Sequence, residues 1–358
     1  MHCAFAIIAR LRRNKKGGIP RVPTPETMST DSVSGGGGGG APAAIGRKAP
    51  PKKGGKDGFA REMRRNWTLY MLTLPALLFL LVFRYAPMFG IIIAFKKFIP
   101  IEGIIKSPFV GLENFVFFFR GSLWKSVSFN TFYLNALFIL TGTVAAIFLA
   151  IALSELGRTL YVRISQSVMI LPNFISWVVI ALFAVAFLGG NGVINKVIES
   201  MGYDPILFYN EAKFWPKIFV IIRIWKGAGY SAVIYMAAIT GIDTEIFEAA
   251  VIDGASRFQK IFYIILPLLK TTVILLTLLA VGGIFYGDFG MIYAFIGDNG
   301  PLLKTTDVID TYVFRALRQD TNFGRPAAIG LFQSVIGFIL VLATNTVVKK
   351  INPESAIF

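Results

Sequence analysis

Six long apolar segments, separated by polar stretches, dominate the pattern of hydrophobic and polar positions along the chain. An apolar run of about 18 or more residues can cross the hydrocarbon core of a bilayer as a helix. A helix at the surface of a soluble protein keeps one polar face, and these segments do not. The pattern predicts membrane-spanning helices at about 67–83, 129–153, 168–188, 214–239, 268–289 and 327–348.

Composition supports this prediction. Hydrophobic residues make up 55% of the 358 residues and charged residues only 16%, and the mean hydropathy is +0.64. Soluble domains average about 25% charged residues, so this chain carries too few charges to cover a water-exposed surface. We therefore predict an all-α membrane protein with six transmembrane helices.

Positive charge is concentrated near the N-terminus. The net charge is +16, and residues 1–66 alone contain fourteen Lys or Arg and four Asp or Glu. Basic residues beside a span stay on the cytoplasmic side, so we predict a multi-pass protein with both termini in the cytoplasm. A basic tail can also bind nucleic acid or anionic lipid. This tail lacks interleaved aromatic residues, which favours a role in topology over nucleic-acid binding.

The chain divides into three predicted parts. Residues 1–60 are rich in Gly, Pro and Lys, a composition typical of disordered segments. Residues 61–352 form the predicted six-span domain, and residues 353–358 form a short C-terminal tail.

Two long connections separate the spans. Residues 84–126 are predicted to contain short helices, and their Phe-rich stretch 115–119 is predicted to lie at the membrane interface. Residues 290–326 are predicted to be a second long loop.

Residues that catalysis, metal binding or ion coupling would use are scarce. His2 and Cys3 are the only histidine and cysteine, so we predict no Cys/His metal site and no disulfide framework. The predicted spans hold no Ser/His pair and no paired carboxylates, which disfavours an intramembrane enzyme. A secondary transporter usually needs acidic residues at mid-membrane, and the predicted spans contain only Asp288, near the end of the fifth.

A mixed polar and apolar segment, residues 243–267, interrupts the apolar pattern between the fourth and fifth spans. Asp243 and Thr244 are good helix N-caps, and Gly254 permits a sharp bend. A second short helix is predicted from Ser256 to Tyr263, and Pro267 then begins the fifth span. The segment is therefore predicted to form a helical elbow at the cytoplasmic surface.

The spacing in this elbow resembles the EAA loop of permease subunits from binding-protein-dependent ABC importers. Glu248-Ala249-Ala250 is followed after three residues by Gly254, and after nine more by Ile264, one residue and Leu266-Pro267. Segments such as "RNWTLYMLTLPALLFLLVFRYAPMFG" and "AIGLFQSVIGFILVLATN" are similar to the carbohydrate branch, closest to the permeases for complex oligosaccharides and polysaccharide fragments. The resemblance implies a type I, maltose-permease-like core of six transmembrane helices in a bacterial cytoplasmic membrane.

The resemblance also implies partners. These are a second homologous permease subunit, two cytoplasmic ABC ATPases, an extracytoplasmic solute-binding lipoprotein and a carbohydrate. Because the sequence has no G-x-x-x-x-G-K-[ST] phosphate loop, ATP is expected to bind to the partner subunits, and no cofactor is expected on this chain.

Roles in coupling are carried over by motif position. Glu248 is expected to pair with a basic residue of the ATPase, with Ala249 and Ala250 packed in its cleft and Gly254 forming the bend. Leu266 and Pro267 are expected to tie the elbow to the fifth span. The predicted coupling site comprises Glu248, Ala249, Ala250, Asp253, Gly254, Ile264, Leu266 and Pro267.

The fourth span carries aromatic and ionisable residues of the kinds that contact sugars. The predicted substrate-path residues are Arg223, Trp225, Lys226, Tyr230 and Tyr235. Arg223 and Lys226 can contact an acidic sugar, or instead snorkel toward headgroups or pair with a partner subunit. Trp225 and Tyr230 can equally be packing residues. Asn135 and Asn173 are weaker candidates.

Overall fold

A computed structural model describes residues 62–157, 159–319 and 322–351 of the chain. The chain divides into two compact units, Met1–Trp67 and Thr68–Phe358, and the description below concerns the second. The predicted tails, residues 1–60 and 353–358, lie outside the described residues.

The described part of the second unit is built from helices. An isolated bridge between Lys96 and Phe109 is its strand-like contact. The helices are α1 Trp67–Leu80, α2 Gly103–Lys106, α3 Glu113–Arg120, α4 Leu123–Glu155, α5 Leu160–Ile170, α6 Trp177–Leu188, α7 Val193–Ser200, α8 Trp215–Thr240, α9 Thr244–Ile252, α10 Arg257–Lys260, α11 Leu266–Gly282, α12 Phe289–Ile296, α13 Gly300–Thr306, α14 Ile309–Gln319 and α15 Gly324–Ile351.

Among the described residues, six helical segments are long and apolar enough to cross a membrane, which confirms the predicted all-α architecture. They are Trp67–Phe95, Leu123–Glu155, Trp177–Ser200, Ala212–Thr240, Arg257–Gly282 and Gly324–Lys350. The fourth and sixth agree with the predicted positions to within three residues, and the second begins six residues before its predicted start. The first, third and fifth differ, and in each case a proline or glycine is involved.

The first span runs on past its predicted end at residue 83. Helix α1 continues through a π-helical turn, Leu81–Tyr85, into a 3₁₀ segment, Ala86–Phe95. Pro87 lies in the first turn of that 3₁₀ segment, where its missing N–H costs little. Arg84 therefore lies within the span and not in the loop predicted to begin there.

The third apolar segment is broken, although it was predicted as one span over 168–188. Helix α5 ends in a 3₁₀ turn, Leu171–Phe174, and Ile175 and Ser176 are extended. The Ser176 hydroxyl then accepts a hydrogen bond from the Val179 N–H (3.4 Å) and caps α6. The hydrophobic pattern missed this break because both halves are apolar.

The fifth span ends at Gly282, seven residues before its predicted end at 289. Asp288 therefore lies outside this span, in the connection to α12. The predicted loop at 290–326 is also wrong, because helices α12, α13 and α14 fill most of it. Each of these helices is too short to stand out in the sequence, and α13 and α14 are also mixed in polarity.

Buried polar contacts hold this connection against the second span. Asn130 donates to the carbonyls of Lys304 (3.2 Å) and Asp307 (3.1 Å). Asp307 accepts from Thr311 (2.7 Å) and pairs with Arg315. Burial raises the pKa of the Asp307 carboxyl, while its hydrogen bonds from Thr311 and Arg315 act in the opposite direction.

Three apolar clusters form the core. One surrounds Trp215 and Phe219 between α6, α8 and α12, and a second packs α4, α8 and α11 through small residues and Tyr235. The third contains Phe118, which is 4% exposed and lies 5.9 Å from the Phe332 ring centroid. The predicted interfacial stretch 115–119 is thus partly core, because one ring of it turns inward.

Helices α5 and α8 approach until their backbones almost touch. A Cβ atom built on Gly229 would lie 2.1 Å from the Met169 carbonyl oxygen, so only glycine fits there. One residue in the same contact is polar, since the Gln166 amide donates to Met236 Sδ (3.1 Å). Glycine at a helix contact is a common means of close packing between spans.

Gly229 and Gly227 offer a matched test of this contact, since a Cβ at Gly227 would meet nothing within 4 Å. We expect Gly229→Ala to lower the free energy of unfolding by about 1–3 kcal/mol, because the helices must separate. We expect Gly227→Ala to be neutral or to raise it by up to about 1 kcal/mol through helix propensity. Thermal unfolding of the full chain in detergent measures both, and equal midpoints would contradict the prediction.

Candidate functional site

The first arm of the elbow is a helix with a defined start and stop. The Asp243 carboxylate accepts a hydrogen bond from the Glu245 N–H (3.1 Å) and caps α9, as predicted. At the other end Gly254 has φ of +74°, with its N–H bonded to the Val251 carbonyl (3.0 Å). The Ala255 N–H reaches the Ala250 carbonyl (2.9 Å), which completes a Schellman motif. Gly254 therefore forms the bend.

The second arm is continuous with the fifth span. A capping box between Ser256 and Gln259 begins α10, which passes through a π-helical turn, Ile261–Ile265, into α11. The predicted end of this arm at Tyr263 is therefore wrong. Pro267 lies in the first turn of α11, and the preceding π turn lets the helix pass it without a break.

The elbow is exposed while the adjoining helix is anchored. No side chain of α9 or α10 is buried, and Ile252 and Phe258 are 86% and 74% exposed. Just beyond, Ile265 and Leu269 are buried against α4 and α8. Five of the predicted coupling residues are exposed. Four of them lie in the elbow and Pro267 lies in the first turn of α11; they are Glu248, Ala249, Asp253, Gly254 and Pro267.

The remaining coupling residues, Ala250, Ile264 and Leu266, are half-buried. The elbow thus presents acidic side chains, Glu248 and Asp253 among them, beside several apolar ones, while its second arm leads directly into the core of the bundle.

A second group of polar residues lies within the fourth span. The Arg223 guanidinium pairs with the Asp288 carboxylate and lies 5.0 Å from the Phe138 ring centroid. Asp288 also accepts from the Met291 N–H (3.1 Å), so the same carboxylate caps α12 and neutralises Arg223. Sequence reasoning missed this pair, although an Asp three residues before a helical N–H is a recognisable N-cap signal.

Lys226 lies one turn further along the same face of α8. Its ammonium donates to three backbone carbonyls at the break in the third span: Asn173 (2.8 Å), Ile175 (2.6 Å) and Pro172 (3.2 Å). It also lies 5.0 Å from the Trp177 ring centroid. Arg223 and Lys226 are thus both paired with groups of this chain, an arrangement that was not among the alternatives open from the sequence.

The other three substrate-path residues lie elsewhere. Trp225 is 51% exposed and lines a shallow apolar groove of about 460 Å³ together with Met169, Pro172 and Ile175. Tyr230 is 53% exposed, and Tyr235 is 2% exposed within the core. The structure therefore brings together Arg223 and Lys226 but not the five predicted residues, whose contact with substrate stays a prediction.

The two Asn candidates both make hydrogen bonds within this chain, Asn135 through its side chain and Asn173 through its backbone carbonyl. Asn135 donates to the carbonyls of Thr131 (2.9 Å) and Tyr286 (3.1 Å), which ties the second span to the connection after the fifth. The carbonyl of Asn173 is one of the acceptors of Lys226. Among the residues that the structure describes, no group of three or more His, Cys, Asp or Glu side chains is arranged to hold a metal ion.

Asp288 has two roles that substitution can separate. In Asp288→Asn the cap is retained, because asparagine is a good N-cap, but Arg223 loses its counter-charge. We expect the free energy of unfolding to fall by about 1–3 kcal/mol, and Asp288→Ala to lose about 1 kcal/mol more with the cap. Asp298→Asn is the matched control, since its pair with Arg318 is half exposed and contributes under about 1 kcal/mol. Denaturant unfolding that gives Asp288→Asn wild-type stability would contradict the pairing role.

Protein families, individual relatives and solved structures that are similar to this chain identify its family. Residues 139–353 match the family described as binding-protein-dependent transport system inner membrane component. Protein LplB of Bacillus subtilis is 34% identical over 86% of this chain and 97% of its own length. The polygalacturonan/rhamnogalacturonan transport system permease protein YteP of the same organism is 33% identical over 80% of this chain and 89% of its own.

A solved structure shares the fold. It is the crystal structure of a bacterial ABC transporter involved in the import of the acidic polysaccharide alginate, one chain of which is 31% identical to this chain. That match has a TM-score of 0.76 and covers 82% of this chain and 99% of the other. On the family match and these relatives, the chain belongs to the inner membrane components of binding-protein-dependent transport systems, as a carbohydrate ABC importer permease.

Proposed function

We propose that this permease forms half of a translocation pathway for an oligosaccharide or polysaccharide fragment and is driven by ATPases that bind its elbow. A second, homologous permease supplies the other half. The observation that carries the proposal is the elbow itself: an exposed first arm with acidic and apolar side chains, joined at Gly254 to a second arm that continues without a break into the fifth span.

The elbow has the properties of a lever. Its bend is closed by the Schellman hydrogen bonds at Gly254 and its second arm begins at a capping box, so both arms keep a fixed angle. Ile265 and Leu269 then fix the continuing helix to α4 and α8. A partner that displaces the elbow moves the fifth span as a rigid element, the type of motion by which transporters alternate between inward and outward access.

The driving subunits are two cytoplasmic ABC ATPases. Glu248 is the residue we expect to meet a basic side chain in the ATPase cleft, with Ala249 and Ala250 packed beside it. ATP binds those partners and not this chain, whose sequence has no Walker-type phosphate loop.

The substrate class and the delivering protein are proposed from the relatives. One relative is a permease for polygalacturonan and rhamnogalacturonan, and a structural neighbour imports alginate. A further structure of an alginate transporter, with a TM-score of 0.74 and 32% identity to this chain, is in complex with a pentasaccharide-bound periplasmic protein. We therefore propose an extracytoplasmic solute-binding lipoprotein as the source of the carbohydrate.

Orientation follows from charge. The protein is a multi-pass membrane protein, and we propose that both termini and the elbow face the cytoplasm of a bacterial cell. The basic residues Arg64 and Arg65 before the first span, Arg257 and Lys260 in the elbow, and the lysines at the end of the sixth span support this orientation.

An ion-coupled secondary transporter remains the alternative class. Such proteins place acidic residues at mid-membrane. In the six described spans the acidic residues are Glu155 and Glu199, each at a helix end. Asp288 lies outside the spans and is engaged by Arg223, so this alternative has little support.

Gly254 and Glu248 test the coupling proposal. We expect Gly254→Pro to lower carbohydrate uptake by about tenfold or more, because proline cannot adopt a positive φ and has no N–H for the Val251 carbonyl. Glu248→Ala should lower uptake in the same way through loss of an ion pair to the ATPase. The measurement is uptake into cells or vesicles that contain the full importer, with membrane insertion checked by immunoblot.

Gly241→Ala is the matched control, because Gly241 ends α8 at a negative φ and a Cβ there makes ordinary contacts at 3.5 Å. It should transport normally. Wild-type uptake by Gly254→Pro would contradict the lever, and uptake by this chain alone in vesicles would point to the secondary transporter.

A further inference from the structure

The third apolar segment is interrupted between α5 and α6, beside Lys226 near the middle of the fourth span, Ala212–Thr240. The 3₁₀ turn after α5 ends at Phe174, and there the Pro172 carbonyl accepts a hydrogen bond from the Ile175 N–H (3.2 Å). The last carbonyls of a helix otherwise have no partner within it. They also carry the partial negative charge of the helix C-terminus. In an apolar environment such groups must be satisfied by a side chain, water or an ion.

A single ammonium group fills this position. Lys226 reaches the carbonyls of Pro172, Asn173 and Ile175, three acceptors for the three N–H groups of one lysine. Broken helices of ion-coupled transporters leave similar carbonyl clusters, and there a Na⁺ or H⁺ coordinates them. Here a tethered cation occupies the equivalent chemical position.

The ammonium contacts both sides of the break. On the far side it lies 5.0 Å from the ring centroid of Trp177, the first residue of α6. On the near side the Gly229 contact fixes α5 against the same face of α8, one turn from Lys226. Lys226 therefore sets where one half of the broken span ends and where the other begins.

A second interruption, the connection between α11 and α12, lies in contact with the first. The connection between Gly283 and Asp288 ends at α12, which Arg223 reaches through its pair with Asp288. A Cβ on Gly290, in the first turn of α12, would lie 3.3 Å from the Trp177 ring, so the two breaks are in contact. Two cations one turn apart on α8 thus hold both interruptions.

We infer that Lys226 is a positioning residue whose tethered ammonium replaces a bound cation at the broken third span and fixes the two halves for transport. Its three N–H groups are all engaged by backbone carbonyls, so in this structure it has no N–H left to donate to an acidic sugar. The uptake measurement that tests this inference rests on the proposed function, but the measurement of thermal stability does not.

Chemical rescue tests the inference. Lys226→Ala removes a propylammonium fragment, and the apolar groove beside Trp225 gives a small molecule access to the site. We expect the thermal midpoint of the full chain to fall in detergent and to be restored saturably by n-propylammonium chloride, because a ligand bound to the folded state alone raises stability. Neutral n-propanol at equal concentration should restore nothing, and recovery with it would overturn the inference.

Two variants keep the result interpretable. Lys217→Ala removes an exposed lysine from the same helix and should neither lose stability nor respond to the amine. Lys226→Met keeps the length of the side chain without its charge, and should lose stability without rescue because the space is filled. Wild-type stability of Lys226→Met, or an equal response of Lys217→Ala to the amine, would overturn the inference.

Transport by the assembled importer gives the second readout. We expect Lys226→Ala to reduce uptake by about tenfold or more, with partial recovery in n-propylammonium. Normal uptake by Lys226→Ala would overturn the positioning role. If the wild-type importer moves no carbohydrate while amine rescue of stability is seen, the proposed function fails and the cation replacement stands.

Discussion

Satisfaction of backbone carbonyls where helices break is the constraint on which the rest of this structure depends. In lipid, a carbonyl without a partner is far more costly than in water, so an interrupted span needs a hydrogen-bond partner at each interruption. At the end of the third apolar segment the free groups are carbonyls, and Lys226 of α8 donates to them directly. At the start of α12 the free groups are N–H groups, so the partner is an acceptor, the Asp288 carboxylate, and Arg223 of α8 neutralises that carboxylate.

The same constraint explains how the fourth span accommodates Arg223 and Lys226 near its middle. An isolated cation inside a bilayer is strongly disfavoured, but here each positive group is matched by carbonyl dipoles or by a carboxylate. The phenyl ring of Phe138 and the indole of Trp177 complete the two environments as cation–π partners. Both charges thus have structural partners in this chain, and Trp225 and Tyr230 are aromatic residues of α8 that stay exposed.

The number of spans could be predicted from sequence because each apolar run is long and apolar on every face. The elbow could be predicted because its signals are local: Asp243 and Gly254 act on backbone groups within five residues of themselves. The break at Ile175 could not, since both flanking halves are apolar and Lys226, the side chain that satisfies its carbonyls, lies about fifty residues away. The helices after Gly282 were missed for a similar reason, because their stability comes from tertiary contacts such as those of Asn130 with Asp307.

The candidate site divides in the same way. The coupling residues follow a motif whose spacing can be read from the sequence, and the exposure of most of them agrees with docking of an ATPase. The substrate path was chosen by residue type, and residue type does not reveal direction: Tyr235 turns into the core while Trp225 turns out. Asp288 was noticed only as an acid near a span, and its function as a cap and counter-charge depends on where the fifth helix stops.

One consequence of the elbow's construction concerns evolution. The hydrogen bonds that define its shape all lie between residues 243 and 260, and none of them needs the surrounding bundle. A segment that specifies its own geometry can be inherited as a standard connector while the membrane-embedded helices diverge toward new cargo. Permeases that differ throughout their translocation pathways can then share the same ATPases, because the surface that contacts the ATPase has not changed.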